Sequence, residues 1–199
     1  MRLLRAAFLP VVLLVALVVV VRGQQTPPRA EFPQPQFERA RWLTLNGAWQ
    51  FEFDDKNVGL GEAWATSTRA YARTITVPYC FESQLSGIGD PSFHPWVWYR
   101  RTFAVPADWK GQRILLNFGA VHYRAMVWLN GQMVGSHEGG QTPFRFDVTP
   151  YVKAGDNTIT VRAENMPTDR SIPRGKQYWE VKSRSIFYTR TSGIWQPVW

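Results

Sequence analysis

Short segments in which apolar and polar residues alternate are the feature that most constrains this chain. Trp49, Phe51 and Phe53 alternate with polar neighbours, and the same period of two runs through residues 144–148 and 158–163. That period places the apolar side chains on one face of a β-strand, so each segment predicts a half-buried strand. No stretch of ten or more residues shows a helical period. The pattern therefore predicts an all-β, jelly-roll-like β-sandwich.

Two apolar runs and two turn signals refine this prediction. The runs at residues 114–118 and 126–129 are dense enough to predict central strands. Asn130-Gly131 follows the second run and predicts a tight hairpin turn, because both residues tolerate a positive φ. Residues 155–157, Gly-Asp-Asn, predict another turn.

Two long segments interrupt the strand pattern. Residues 79–96 and 164–185 contain no alternation but are rich in aromatic side chains. Loops of this length in a compact domain usually have a function or lack order. Their aromatic content favours a function.

The first 23 residues have the three parts of a secretory signal peptide. Arg2 and Arg5 precede an apolar run over residues 6–21, and small residues follow before a cut ahead of Gln24. A membrane anchor is the alternative, but a spanning helix needs about 20 apolar residues, and Pro10 interrupts this run. We therefore expect a secreted or periplasmic protein that is not held in a membrane after cleavage.

The rest of the chain divides into a lead-in and one domain. Residues 24–41 are rich in proline and glutamine and are expected to be extended and poorly ordered. Residues 42–199 suit one domain that needs no disulfide, and Cys80 has no partner cysteine. Because the chain stops on an apolar strand-like segment, we expect a longer parent protein.

Charge and motif content exclude several classes of function. The net charge of +8 includes three arginines of the predicted signal peptide, and the remaining charges are interspersed, which argues against nucleic-acid binding. His94, His122 and His137 lack metal-ligand spacing, and a nucleophile elbow is missing. Glu138 follows His137 and precedes two glycines, so this pair is expected to shape a turn rather than catalyse. We predict no catalytic residue, metal or cofactor in this chain.

Five ordered motifs run through residues 41–199. They are RWLTLNGAWQF at 41–51, VP and ESQLSGIG within 77–89, WYRRTF at 98–103, VWLNG, GSHEGG and PFRFDVT within 127–149, and PRGKQ and TRTSGIW within 173–195. Together they resemble the amino-terminal domain of family 2 glycoside hydrolases, which include β-galactosidases, β-glucuronidases and β-mannosidases.

The resemblance implies a galactose-binding-like jelly-roll β-sandwich within a multidomain O-glycosyl hydrolase. An immunoglobulin-like domain and a (β/α) barrel would follow it, with both catalytic glutamates in the barrel. The chain would thus be truncated before its catalytic domain and inactive alone. Its expected partners are a β-glycoside substrate and those two carboxy-terminal domains.

The resemblance also implies that loop residues of this domain reach the rim of the sugar pocket. Cys80 stands near the position of an asparagine, and Asn165 at that of an aspartate, in the β-galactosidase pattern. The candidate substrate-binding residues are Asp169, the preferred carboxylate, with Asn165, Arg174, Lys176, Trp179 and Glu82. Asp and Asn also cap turns, so a purely architectural role is the alternative.

Three functions remain open from the sequence. The first is the accessory domain of an exported glycosidase, β-galactosidase-like on its motifs. The second is a free-standing carbohydrate-binding module, and the third is a structural sandwich that docks other domains.

Overall fold

Ten β-strands and three short 3₁₀ helices lie within residues 26–199, the part of the chain that the computed structural model describes. The predicted signal peptide lies outside the described residues. The strands are β1 Gly47–Phe53, β2 Arg73–Val77, β3 Trp96–Val105, β4 Leu115–Phe118, β5 Val121–His122, β6 Arg124–Leu129, β7 Gln132–Glu138, β8 Phe144–Asp147, β9 Gly155–Glu164 and β10 Gly193–Ile194. The 3₁₀ helices are Pro35–Phe37, Gln84–Ser86 and Ala107–Trp109.

The strands form two layers, as the prediction of an all-β sandwich requires. One layer is a six-stranded antiparallel sheet of order β2-β1-β3-β9-β6-β7. The other consists of the antiparallel pairs β4–β8 and β10–β5. Trp49, Phe51, Tyr99, Phe118 and Ile194 are at most 1% exposed and pack in the core between them. Burial of these large side chains is the main term that stabilises the sandwich.

The alternation of residues predicted β1, β8 and β9, and the structure confirms all three. The hairpin turn is also confirmed, with φ of 52° at Asn130 and 79° at Gly131 between β6 and β7. The predicted turn at residues 155–157 is wrong, because Gly155 already pairs with Val105 at the start of β9. The buried Asn157 side chain instead closes the preceding turn through two hydrogen bonds with the backbone of Lys153.

One further expectation is confirmed and another needs correction. Residues 115–118 form β4, which lies between β8 and residues 197–199, and the Asn117 backbone N–H donates to the Trp199 carbonyl oxygen at 2.7 Å. His137 and Glu138 end β7 rather than shaping a turn. The His137 ring stacks on Phe144 at 4.1 Å, and Glu138 accepts a 2.9 Å ion pair from Arg124 on the neighbouring strand. Both residues thus act in cross-strand packing.

Several tryptophans are buried on the outer face of the large sheet. Trp98 stacks on Trp128 with ring centroids 5.5 Å apart, and Trp64 and Tyr71 cover them. The Trp98 indole N–H donates to Asp54 Oδ2 at 3.0 Å. These rings are packing residues and present no open face to a sugar.

The lead-in contacts the sandwich through hydrogen bonds and aromatic rings. The Asn46 side-chain amide donates to the carbonyl oxygens of Pro28 and Arg29 at 3.1 and 3.2 Å. The Phe32 ring meets Trp42 edge to face at 5.1 Å. These contacts hold residues 26–41 along the sandwich.

The long strands define two ends of the domain. The loop end lies where β3 begins and β9 finishes, and it comprises residues 79–95 and 165–192 with β5 and β10. The groove end lies where β3 finishes and β9 begins, near the helix Ala107–Trp109 and the lead-in. Within residues 26–199, no helix is long and apolar enough to cross a membrane.

Candidate functional site

The two long loops meet at the loop end of the sandwich. The Asn165 backbone N–H donates to the Pro95 carbonyl at 2.8 Å. Arg190 is 3% exposed, and its guanidinium donates to the carbonyl oxygens of Glu180 at 2.7 Å, of Tyr178 at 3.5 Å and of Pro91. Burial lowers the pKa of Arg190, although the group stays charged. The buried Arg190 guanidinium thus links the second loop, residues 165–192, to the first loop, residues 79–95.

Asn165 and Glu82 form a buried hydrogen-bonded chain beneath the second loop. Asn165 Nδ2 donates to Ser192 Oγ at 2.8 Å, and the Ser192 backbone N–H donates to Glu82 Oε2 at 3.1 Å. Glu82 Oε1 is buried and has no hydrogen-bond partner among the described residues. Burial raises the pKa of Glu82. These two predicted sugar contacts therefore lie behind the loop surface and position it.

Arg174 is held in place by the same network. Its guanidinium donates to Asn165 Oδ1 at 3.3 Å and to the carbonyl oxygens of Met166 and, at 3.2 Å, Asp169. Partial burial lowers the pKa of Arg174. Three acceptors on one planar group fix its orientation, which is a condition for selective recognition by hydrogen bonds.

Arg174 and Lys176 come together in a surface depression of about 580 Å³. Its other lining residues are polar or aromatic apart from a proline and a glycine: Gln141, Pro173, Gly175, Gln177, Tyr188, Thr189, Thr191 and Trp195. No carboxylate belongs to the described lining. The depression is thus a cationic surface with hydroxyl, amide and ring groups, the set that binds sugar hydroxyls and anions.

Hydrogen bonds also fix other residues that line this depression. The Thr191 backbone N–H donates to Gln177 Oε1 at 2.8 Å, and the Trp195 indole N–H donates to the Gly140 carbonyl at 2.8 Å. Sequence reasoning missed both Gln177 and Trp195. They lie within the PRGKQ and TRTSGIW motifs, so the motifs themselves were the available signal.

Asp169 and Trp179 lie outside the lining of the depression. Asp169 Oδ1 accepts hydrogen bonds from the Ser171 Oγ at 2.7 Å and backbone N–H at 2.9 Å, and these bonds lower the pKa of Asp169. Trp179 is 54% exposed and packs against Tyr178 and Phe187 at 4.7 and 4.9 Å. Of the six predicted residues, Arg174 and Lys176 therefore line the depression.

His122 is buried beneath the loop end, and Cys80 is half-buried there. Neither ring nitrogen of His122 has a hydrogen-bond partner among the described residues. Burial, with the nearby Arg174 charge, lowers the pKa of His122 to about 4. Burial, with the nearby Glu82, raises the pKa of Cys80 to about 12. At neutral pH the imidazole is uncharged and the thiol is protonated, so Cys80 is not a nucleophile.

The comparisons with known proteins point to one family. A model described as "Glycosyl hydrolases family 2, sugar binding domain" matches residues 43–182. The chain is 34% identical over 171 residues to the β-glucuronidase of Felis catus, covering 79% of this chain and 25% of that protein. It is 32% identical over 160 residues to a β-galactosidase of Thermoanaerobacter pseudethanolicus, covering 78% of this chain and 18% of that protein.

Solved structures show the same relationship. The β-glucuronidase of Lactobacillus rhamnosus matches with a TM-score of 0.56 and 35% identity, over 62% of this chain and 21% of that one. The β-glucuronidase of Ruminococcus gnavus in complex with D-glucuronic acid matches with a TM-score of 0.55 and 30% identity, over the same shares. This chain spans about a quarter or less of the relatives it matches.

Proposed function

The chain belongs to family 2 of the glycosyl hydrolases, as its sugar-binding domain, and from this premise we propose that it serves as the accessory domain of an exported β-glycosidase. The loop end forms part of the wall of the sugar pocket. The observation that carries this proposal is the cationic depression in which a fixed Arg174 and Lys176 stand together. A rigid loop held by buried bonds can present such groups to a ligand without losing much order on binding.

The charge of the depression favours an acidic sugar. The sequence motifs led us to expect a β-galactosidase-like parent, whose substrate is neutral. A lining with two cations and no carboxylate among its described residues suits the carboxylate of a β-glucuronide better. We therefore place β-glucuronides ahead of β-galactosides as the substrate class.

The outer part of the second loop supports a docking role for the neighbouring surface. Trp179, Val181, Ile186 and Tyr188 are large apolar side chains with exposures between 38% and 66%. Exposed apolar clusters of this kind often mark protein interfaces. We propose that residues 179–187 pack on the catalytic domain of the parent enzyme, while the depression lined by Arg174 and Lys176 faces the sugar.

Binding by this chain tests the choice of sugar. Methyl β-D-glucuronide should perturb the NMR signals of Gln177 and Trp195 at lower concentration than methyl β-D-galactoside does. Lys176→Met should weaken glucuronide binding about tenfold, the value expected for one charge-assisted hydrogen bond. Lys182→Met is the matched control, because Lys182 is exposed on the same loop outside the depression. Equal effects of the two variants would contradict the proposed site.

Membership of a larger enzyme is tested by activity and by the gene. The 199-residue chain should not hydrolyse nitrophenyl β-glycosides, and the coding sequence beyond Trp199 should encode a barrel with two catalytic glutamates at the separation that retaining enzymes need. Turnover that is lost on mutating a carboxylate of this chain would overturn the accessory role. A stop codon directly after Trp199 would favour a free-standing binding module.

Export is tested by the mass of the secreted protein. The mature chain should begin at or near Gln24. A secreted or membrane-bound product that retains residues 1–21 would overturn the proposed signal cleavage.

A further inference from the structure

A second groove, of about 710 Å³, lies at the groove end of the sandwich. Its walls come from the lead-in, the last residues of β3, the helix Ala107–Trp109 and β4. The volume falls in the range typical of pockets for small ligands. Because β3, β6 and β9 run from one end of the domain to the other, this groove is separate from the depression at the loop end.

One wall of the groove is aromatic. Phe32 meets Trp42 edge to face at 5.1 Å and Trp199 at 6.3 Å, which joins the lead-in to the sandwich. Trp42, Trp109 and Trp199 are all partly exposed and line the groove. Partly exposed indole faces offer the flat apolar surface on which the C–H face of a pyranose ring packs.

The groove is also strongly cationic. Arg39, Arg41, Arg113 and Arg145 line it, and its described lining contains no aspartate or glutamate. Arg113 pairs with Asp147 at 2.7 Å, and Arg39 donates only to backbone carbonyl oxygens. Within residues 26–199, the side chains of Arg41 and Arg145 have no hydrogen-bond or ion-pair partner, so their charges are available to a ligand.

Side-chain amides add hydrogen-bonding groups to the groove, and apart from the arginines the rest of its lining is apolar. Gln34, Gln112 and Asn117 line the groove. Asn117 Nδ2 donates to the Leu115 carbonyl at 3.2 Å and, more weakly, to that of Trp199 at 3.5 Å, which leaves its Oδ1 available as an acceptor. An amide can accept from one sugar hydroxyl and donate to the next.

We propose that this groove is a second carbohydrate-binding site, and that its ligand is a short acidic oligosaccharide built of uronate residues. The guanidinium groups of Arg41 and Arg145 pair with the carboxylates, and the tryptophan faces pack against the sugar rings. A neutral saccharide would leave the arginine charges unused. A nucleic acid would require a continuous basic track for its phosphates, whereas the charges of this domain are interspersed beyond the groove.

The proposal does not depend on the sugar pocket proposed for the loop end. It gives the domain a means of holding an acidic polysaccharide while the catalytic domain acts elsewhere. Two linked sites raise the effective concentration of substrate at the second one.

Calorimetry with a defined uronate oligomer tests the proposal. Tetragalacturonate should bind the 199-residue chain at least about tenfold more tightly than the neutral cellotetraose, because its carboxylates meet two unpaired guanidinium groups. Arg145→Met and Arg41→Met should each weaken tetragalacturonate binding about tenfold. Trp109→Leu should weaken both oligomers, since it removes a ring face rather than a charge.

Matched controls separate this site from others. Arg184→Met makes the same charge change on the exposed second loop, outside both depressions, and should leave binding unchanged. Lys176→Met should also leave tetragalacturonate binding unchanged while weakening methyl β-D-glucuronide, so the two proposals can fail separately.

Several results would overturn the proposal. The first is that tetragalacturonate does not bind the unmodified chain. The second is that cellotetraose, or a single-stranded oligonucleotide of matched charge, binds as tightly as tetragalacturonate. The third is that Arg184→Met weakens tetragalacturonate binding as much as Arg145→Met does. Loss of tetragalacturonate binding in Lys176→Met would move the ligand to the loop end.

Discussion

The two ends of the sandwich use arginine in opposite ways. At the loop end, Arg174 and Arg190 donate to carbonyl and amide oxygens of the protein, and burial lowers the pKa of both. At the groove end, Arg41 and Arg145 are exposed, and neither has a protein partner within residues 26–199. The buried Arg190 guanidinium only builds the loop. That of Arg174 is anchored by three protein acceptors but still lines the depression, whereas Arg41 and Arg145 need no such anchoring to meet a ligand. Position in the fold, rather than residue type, thus decides between structure and recognition.

The largest expected effect tests whether the loop end is fixed at its base. Gly193 in β10 has φ of +72°, and an added Cβ would lie 2.0 Å from Tyr99 Oη. Gly193→Ala should lower the free energy of unfolding by about 4 kcal/mol, because it combines a left-handed backbone with overpacking. Gly175→Ala is the control, with φ of +58° and open space around it, and should cost about 1 kcal/mol. Urea denaturation measures the free energy of unfolding of both variants. Equal losses would show that the backbone of β10 shifts to accommodate the added methyl group.

The second effect compares one arginine from each end. Arg190→Met removes the donor to three carbonyl oxygens of Pro91, Tyr178 and Glu180 and should lower the free energy of unfolding by about 3 kcal/mol. Arg145→Met should change it by less than about 0.5 kcal/mol, the usual range for an exposed side chain. Limited proteolysis should cut the second loop of Arg190→Met first. Similar free energies of unfolding for the two variants would contradict the inference that Arg190 stabilises the loop end whereas Arg145 does not stabilise the groove end.

The fold was more accessible to sequence reasoning than the site. Alternating residues predicted β1 and β9, because every second side chain of a strand lies on the same face, and the apolar residues mark the face that is buried. The chain from Asn165 through Ser192 to Glu82 was not predictable, since Glu82 and Ser192 are 110 residues apart and only the folded loops bring them together. The groove at the groove end was not predictable from the sequence for the same reason. Its aromatic wall joins Phe32 of the lead-in to Trp199, two residues from opposite ends of the sequence.

The third effect is a pH dependence that belongs to the loop end. Burial lowers the pKa of His122 from 6.5 to about 4, so between these values the unfolded chain binds a proton that the folded chain does not. Stability from this group is therefore complete above pH 6.5 and is lost as the pH falls towards 4. Between pH 7 and pH 5 the free energy of unfolding should fall by about 2 kcal/mol.

Variant comparison isolates the His122 contribution. His122→Gln should be less stable at pH 7 and should lose this slope between pH 7 and pH 5, whereas His137→Gln should retain it, because His137 is only half-buried in β7. Urea denaturation at both pH values gives the two slopes. An unchanged slope in His122→Gln would assign the acid sensitivity to carboxylates instead.

The smallest effect concerns Asp169, the carboxylate that the sequence placed first among the sugar contacts. Its Oδ1 caps the backbone N–H and hydroxyl of Ser171, and it lies outside the lining of the depression. Asp169→Asn retains a cap acceptor and removes the charge, so the melting temperature should hardly change. Affinity for methyl β-D-glucuronide should change by less than about twofold, against about tenfold for Lys176→Met. NMR titration of both variants measures this difference. A tenfold loss in Asp169→Asn would mean that the second loop closes over the sugar on binding and brings this carboxylate into the site.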